Sequence, residues 1–110
     1  MLGELNQEQV EQVLTSEVIG RLGCHTDGHT YVVPITYAYD GASIYGHSGK
    51  GRKIRMMREN QAVCFEVDHL DDMRNWRGVI GQGTYEELHG AAAGRAMHLL
   101  IDRVMLAANE

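Results

Sequence analysis

The sequence is poor in the residues that usually fill a core. Among 110 residues there is one Phe and one Trp, so aromatics stand at 6% although hydrophobic residues reach 44%. A core must therefore draw on Val, Ile, Leu, Met, Ala and some of the five Tyr. The length gives room for a single domain, residues 1–110, in which folding removes roughly two-thirds of the unfolded surface from water. Such a core is thin, and small thin-cored domains often gain stability by burying an apolar face against a second copy. No apolar run approaches the ~20 residues that a bilayer span needs. The acidic, Gln-rich start also lacks the basic-then-apolar layout of a signal peptide, so a soluble, cytoplasmic protein away from membranes is expected. Basic charge is scarce: 10 Lys and Arg against 15 Asp and Glu leave a net charge of −5, which excludes a broad nucleic-acid footprint. Cys24 and Cys64 share no spacing motif and fall in strand-like runs, so reduced, buried thiols are expected, not a disulfide.

Three of the ten basic residues fall within four positions in Ile44-Tyr45-Gly46-His47-Ser48-Gly49-Lys50-Gly51-Arg52-Lys53. Glycines let backbone approach a ligand closely, Ser48 and His47 add donors, and Lys50, Arg52 and Lys53 add positive charge. If a helix opens at Lys50 or Gly51, its unpaired first-turn N–H groups point the same way. Two readings fit: an anion cradle, or a solvated basic turn.

The flanking chain reads as α+β, mainly β. Asn6 with Gln9 has the form of a capping box, and Val10, Val13 and Leu14 fall at helical spacing, which predicts a helix over residues 7–15. Residues 18–24 alternate as a strand. Asp27-Gly28 is a hairpin signal leading into residues 30–39, and Asp40-Gly41 turns the chain into residues 43–45, an antiparallel meander. Pro34 cannot donate to a ladder, so it marks a break in the second strand or a strand edge. A short helix with Ile54, Met56 and Met57 is expected to end near Asn60 in a left-handed cap. Residues 62–68 form a strand with Val63, Phe65 and Val67 on one face; residues 69–75 read as a polar connection. Residues 76–88 read as a long strand whose Gly78, Gly81 and Gly83 suggest bulges or a barrel corner. Met97, Leu100, Ile101, Val104 and Met105 then give a final amphipathic helix. Segregated helices around tight-turned strands indicate a small antiparallel sheet or barrel.

Several chemistries fail on their own requirements. Gly46 and Gly51 stand at P-loop spacing, but Arg52 and Lys53 occupy the positions for Lys and Ser/Thr, removing the magnesium-ligating hydroxyl. Cys24 and His25 point to opposite strand faces and His29 lies beyond the turn, so no metal site is expected. His69, His89 and His98 are scattered, and each reads as a surface or capping residue. Asp71-Asp72 and Glu86-Glu87 diverge on extended backbone, and Cys64 on a buried face is expected to be inert.

Gly20-Arg21-Leu22-Gly23-Cys24, Tyr31-Val32-Val33-Pro34-Ile35-Thr36-Tyr37, Ile44-Tyr45-Gly46-His47-Ser48, Gly51-Arg52-Lys53 and Ala62-Val63-Cys64-Phe65-Glu66-Val67-Asp68 together resemble the FMN-binding split-barrel proteins related to pyridoxamine 5′-phosphate oxidase. The likeness covers residues 7–88 and is greatest to the nitroimidazole-resistance-like branch. It implies a small antiparallel split β-barrel with flanking helices, forming a homodimer with FMN in a groove at the interface. The flavin phosphate would sit against Ser48, Arg52 and Lys53. The ring would lie along Val33, Pro34, Ile35 and Thr36, with His47 near ring or substrate. Arg77 or Gln82 would reach phosphate or ring, although Gly78 stands where many relatives carry a small polar residue. The chain also stops before the later strand and C-terminal substrate-contacting segment of true pyridoxamine phosphate oxidases, so that activity is not expected. The implied function is an FMN-dependent oxidoreductase of a small molecule, with a non-enzymatic flavin- or haem-binding or sensing protein as the alternative. His47 is the one candidate catalytic residue, histidine being the side chain that exchanges protons near neutral pH; a purely structural hydrogen bond is its other reading.

Overall fold

The computed structural model describes residues 3–49 and 51–108. Helix α1 (Gln7–Ser16) begins at the expected capping box: the Asn6 side chain accepts the Gln9 N–H at 2.9 Å, and the Gln9 side chain accepts the Asn6 N–H at 2.9 Å. Strands β1 (Ile19–Thr26) and β2 (His29–Tyr39) are joined through Asp27 (φ 52°) and Gly28 (φ 77°), a left-handed pair that matches the twist of a two-residue hairpin. A second turn leads to β3 (Ile44–Gly46). There the Asp40 carboxylate accepts the N–H groups of Ala42 and Ser43 and the Tyr45 hydroxyl, each at 2.8 Å, and these bonds hold its pKa below the usual value. Helix α2 (Arg52–Glu59), the hairpin of β4 (Ala62–Asp72) and β5 (Asn75–Thr84), and helix α3 (Gly90–Ala108) complete the chain. The strands form one antiparallel sheet in the order β3-β2-β1-β4-β5.

Four expectations need correction. Strand β2 does not break at Pro34, which pairs with Arg21 inside an unbroken β1 ladder. The Tyr37 N–H donates to the Val18 carbonyl at 2.9 Å, so alternation turns Val33 and Ile35 toward β1 and Pro34 and Thr36 away from it. The missing donor thus falls on the side where β3, paired only to residues 37–39, leaves β2 uncovered. Residues 69–72 are strand, not connection: β4 and β5 run past the end of their pairing with β1 as a projecting arm, where polar side chains cost nothing. The irregularity in that ladder lies between Leu70 and Asp72, while Gly78, Gly81 and Gly83 pair in regular register. Asn60 ends α2 in an extended conformation (φ −135°), not a left-handed one, its side-chain N–H donating to the His25 carbonyl at 2.7 Å.

One sheet face carries the core. Phe65 and Val67 of β4 and Tyr37 of β2 pack under α1 around Val13, with Tyr37 and Phe65 edge to face at 4.9 Å. Cys24 packs with Met56 and Met57 of α2, against Leu22 and Val63. The Tyr37 hydroxyl, fully enclosed, donates to the Leu14 carbonyl at 2.8 Å, and burial pushes its pKa up to about 12. By strand alternation the other face presents Ile19, Val32, Ile80, Trp76 and Leu70, all more than half exposed, around Arg21 and its ion pairs to Glu66 (3.6 Å) and Asp68 (3.7 Å). Among the described residues no helix is long and apolar enough to cross a membrane.

Gly20 is held by close packing. A Cβ there would lie 2.4 Å from the Phe65 ring and 2.9 Å from the Glu66 carbonyl, which belongs to the paired backbone and cannot give way. Gly20→Ala is expected to cost roughly 1–3 kcal/mol, as overpacking typically does, measured by urea unfolding.

Candidate functional site

The uncovered stretch of β2 forms one wall of a groove of about 440 Å³. Pro34, Ile35 and Thr36 line it, His47 enters from the segment after β3, and Lys53 enters from the first turn of α2. The opposite wall is α3, through Met97, Leu100, Ile101, Val104 and Met105. Both position and polarity follow from the fold. The edge of β2 offers the Thr36 N–H and the Pro34 and Thr36 carbonyls, while α3, packed on β2 and β3, offers apolar side chains. The groove is therefore polar along one side, apolar along the other and cationic at one end.

That end is the start of α2. Its N-cap, Gly51, is extended, and among the described residues no side chain caps the first-turn N–H groups at the positive end of the helix dipole. Arg52 and Lys53 are its first two residues. The Arg52 guanidinium stands 5.1 Å from the centroid of the Tyr31 ring, a cation–π contact that fixes it beside β2. Beneath them lies the Cys24 thiol, whose pKa is raised by burial against the opposing pull of the Arg52 and Lys53 charges. Lys50, expected in the cradle, lies outside the described residues.

Of the residues singled out from the sequence, Pro34, Ile35, Thr36, His47 and Lys53 come together in the groove. Val33 turns its backbone toward β1. Ser48 donates its hydroxyl to the Gly49 carbonyl at 3.0 Å. Arg77 and Gln82 are not brought to the groove by a single chain, and they face opposite sides of β5. Arg77 lies beside α1, lining a separate cavity with Glu8, Glu11, His69 and Asp71. Gln82 stands on the other face, its amide N–H donating to Cys64 Sγ at 3.5 Å. Cys64 is half-buried, not enclosed as expected.

Two features escaped the sequence reading. The apolar stripe of α3 was legible as periodicity, but its docking against β2 and β3 has no local signal. His69 sits at the surface as expected, its side chain 44% exposed, but it is held there between Glu17 and Asp71.

An antiparallel sheet with an uncovered inner edge, a cationic helix start beside it and a terminal helix closing the groove define a split-barrel protein. The family model described as pyridoxamine 5′-phosphate oxidase matches residues 6–109, and the chain belongs to that family. It is similar to the crystal structure of a FAD-binding protein from Mesorhizobium loti, at 39% identity and a TM-score of 0.77, over 86% of this chain and 68% of that one. It shares its fold with a structure from Bacteroides thetaiotaomicron VPI-5482 assigned to 5-nitroimidazole antibiotic resistance, at 21% identity and a TM-score of 0.77, over 91% of this chain and 67% of that one. An uncharacterised protein of Rhizobium meliloti (strain 1021) is 36% identical over 84 residues, 76% of this chain, and the chain spans 56% of that relative's length.

The open start of α2 gives a direct test. A Cβ at Gly51 would meet only the Gly49 carbonyl, at 4.0 Å, so a capping side chain fits. Gly51→Asp is expected to stabilise the protein by a few tenths of a kcal/mol, raising the melting temperature by roughly 1–2 °C at low ionic strength.

Proposed function

We propose that the groove binds a flavin, that the flavin is FMN, and that the protein is a flavin-dependent oxidoreductase acting on a small molecule. The observation that carries this reading is the convergence of a free strand edge, an uncapped cationic helix start and an apolar wall on one groove. An isoalloxazine ring has a hydrogen-bonding pyrimidine edge and an apolar benzenoid edge, which suit the β2 edge and the α3 wall. A phosphate suits the N–H groups of α2 with Lys53 and Arg52, and Ser48 by a hydroxyl rotation. The likeness to a FAD-binding protein at 39% identity supports a flavin; the choice of FMN rests on the single anion-binding end. A bound flavin would supply hydride or electron transfer. The chain's own residues bind and orient: Thr36 and Pro34 present backbone groups, α3 excludes water, and His47 is placed to exchange a proton with a ligand in the groove.

We further propose a homodimer formed through the exposed sheet face. Ile19, Val32, Trp76 and Ile80 make that face apolar, and the side chains of Pro34 and Thr36 stand on it by alternation, so a second copy would also close the groove. Gln82 lies on this face, where it would meet a ligand across the interface, whereas Arg77 lies beside α1.

Purified protein is expected to take up FMN and hold it through gel filtration, read as flavin absorbance. Failure to take up either FMN or FAD would sink the flavin reading, and tighter binding of FAD would overturn the choice of FMN. Replacing Arg52 and Lys53 together by Ala should weaken FMN by roughly a hundredfold, two charge-assisted contacts at about 1.5 kcal/mol each, while riboflavin, which lacks the phosphate, is little affected. Equal weakening of both would show the phosphate to be elsewhere. Ile80→Glu, at a position 71% exposed in the single chain, should convert the dimer to a folded monomer by sedimentation.

A further inference from the structure

His69 stands on the α1-covered face of β4 between two carboxylates. Its Nδ1 lies 3.0 Å from Glu17 Oε2 and its Nε2 lies 2.8 Å from Asp71 Oδ1. A neutral imidazole has one N–H and one lone pair, so it can donate to only one of these groups and turns a lone pair toward the other. Only the doubly protonated ring satisfies both. Glu17 is the C-cap of α1, and its neighbour Ser16 gives its backbone carbonyl to Arg103 Nη2 of α3 at 2.6 Å. The tie between β4 and the α1–β1 joint is therefore continuous with a contact to the helix that walls the groove.

We propose that protonated His69 is a pH-operated tie: it clamps the α1–β1 joint to β4 and, through Ser16 and Arg103, steadies α3, so the protein tightens as pH falls toward about 6 and loosens as pH rises. The surrounding charges favour the protonated ring. Asp71 on β4, Glu17 beyond α1, and Glu8 and Glu11 of α1 along the same cavity are acidic. Against them stand Arg77, the cross-strand partner on β5, and Arg103 of α3. Glu66 and Asp68 lie on the opposite sheet face. Hydrogen bonds to Asp71 and then Glu17 raise the His69 pKa above its ordinary 6.5. A folded-state value above the unfolded one gives stability that is fully present below about pH 6.5 and lost as pH rises through the raised value.

Thermal melts of the full chain without added ligand test this independently of what fills the groove. His69→Gln is expected to melt roughly 4 °C below wild type at about pH 6, with the gap closing by about pH 9. A gap that stays constant with pH would make His69 a packing residue and overturn the proposal. Should His69→Gln not fold, the imidazole titration by NMR in the unaltered protein decides: a pKa above 6.5 that falls in Asp71→Asn supports the tie, and one at or below 6.5 refutes it. For the link to α3, amide hydrogen exchange at a fixed pH of about 6 should be several-fold faster along α3 in the variant; unchanged exchange there would remove α3 from the proposal.

Discussion

The architecture turns on the unequal pairing of β2. Along residues 29–36 it is bonded to β1 on one side, but on the other only residues 37–39 meet β3. Backbone polar groups left beside a core must find partners. Here they border a groove, and the rest of the chain is arranged around that gap. The segment after β3 carries His47 to its rim, α2 starts beside it with its N–H groups open, and α3 returns to wall it with aliphatic and thioether side chains.

Local chemistry was legible wherever a residue's partner lay a few positions away. The capping box of Asn6 and Gln9 and the left-handed pair at Asp27-Gly28 were identifiable because the side chains and dihedrals involved are near in sequence. Pro34 was ambiguous for a physical reason: a missing donor is compatible with a broken strand or with an uncovered edge, and only the length of β3 decides between them. The polar run from His69 to Asp72 looked like a connection because strand patterning depends on burial, and the arm of β4 and β5 beyond β1 buries little. The glycines of β5 suggested bulges or a barrel corner, and their regular pairing removes the bulges.

The candidate site was legible in part for the same reason. Pro34, Ile35, Thr36, His47 and Lys53 converge because β2, β3 and α2 follow one another with short links. Arg77 and Gln82 sit two strands away on β5, and strand alternation sends them to opposite faces. The α3 wall and the contact of His69 with Glu17 depend on pairs separated by tens of residues, as does that of Arg103 with Ser16, and such contacts leave no mark in periodicity or spacing.

The residue that gave the sequence its ambiguity also has a colloidal consequence. An uncovered strand edge beside apolar surface is a template on which other chains can add strands and aggregate. Pro34 interrupts that template at its centre, because an incoming strand finds no N–H where the ladder requires one. The edge stays open to a compact ligand that needs only a few of its polar groups, and closed to a neighbour that would need them in sequence. An obstacle to strand addition is thereby built into the same position that lines the groove.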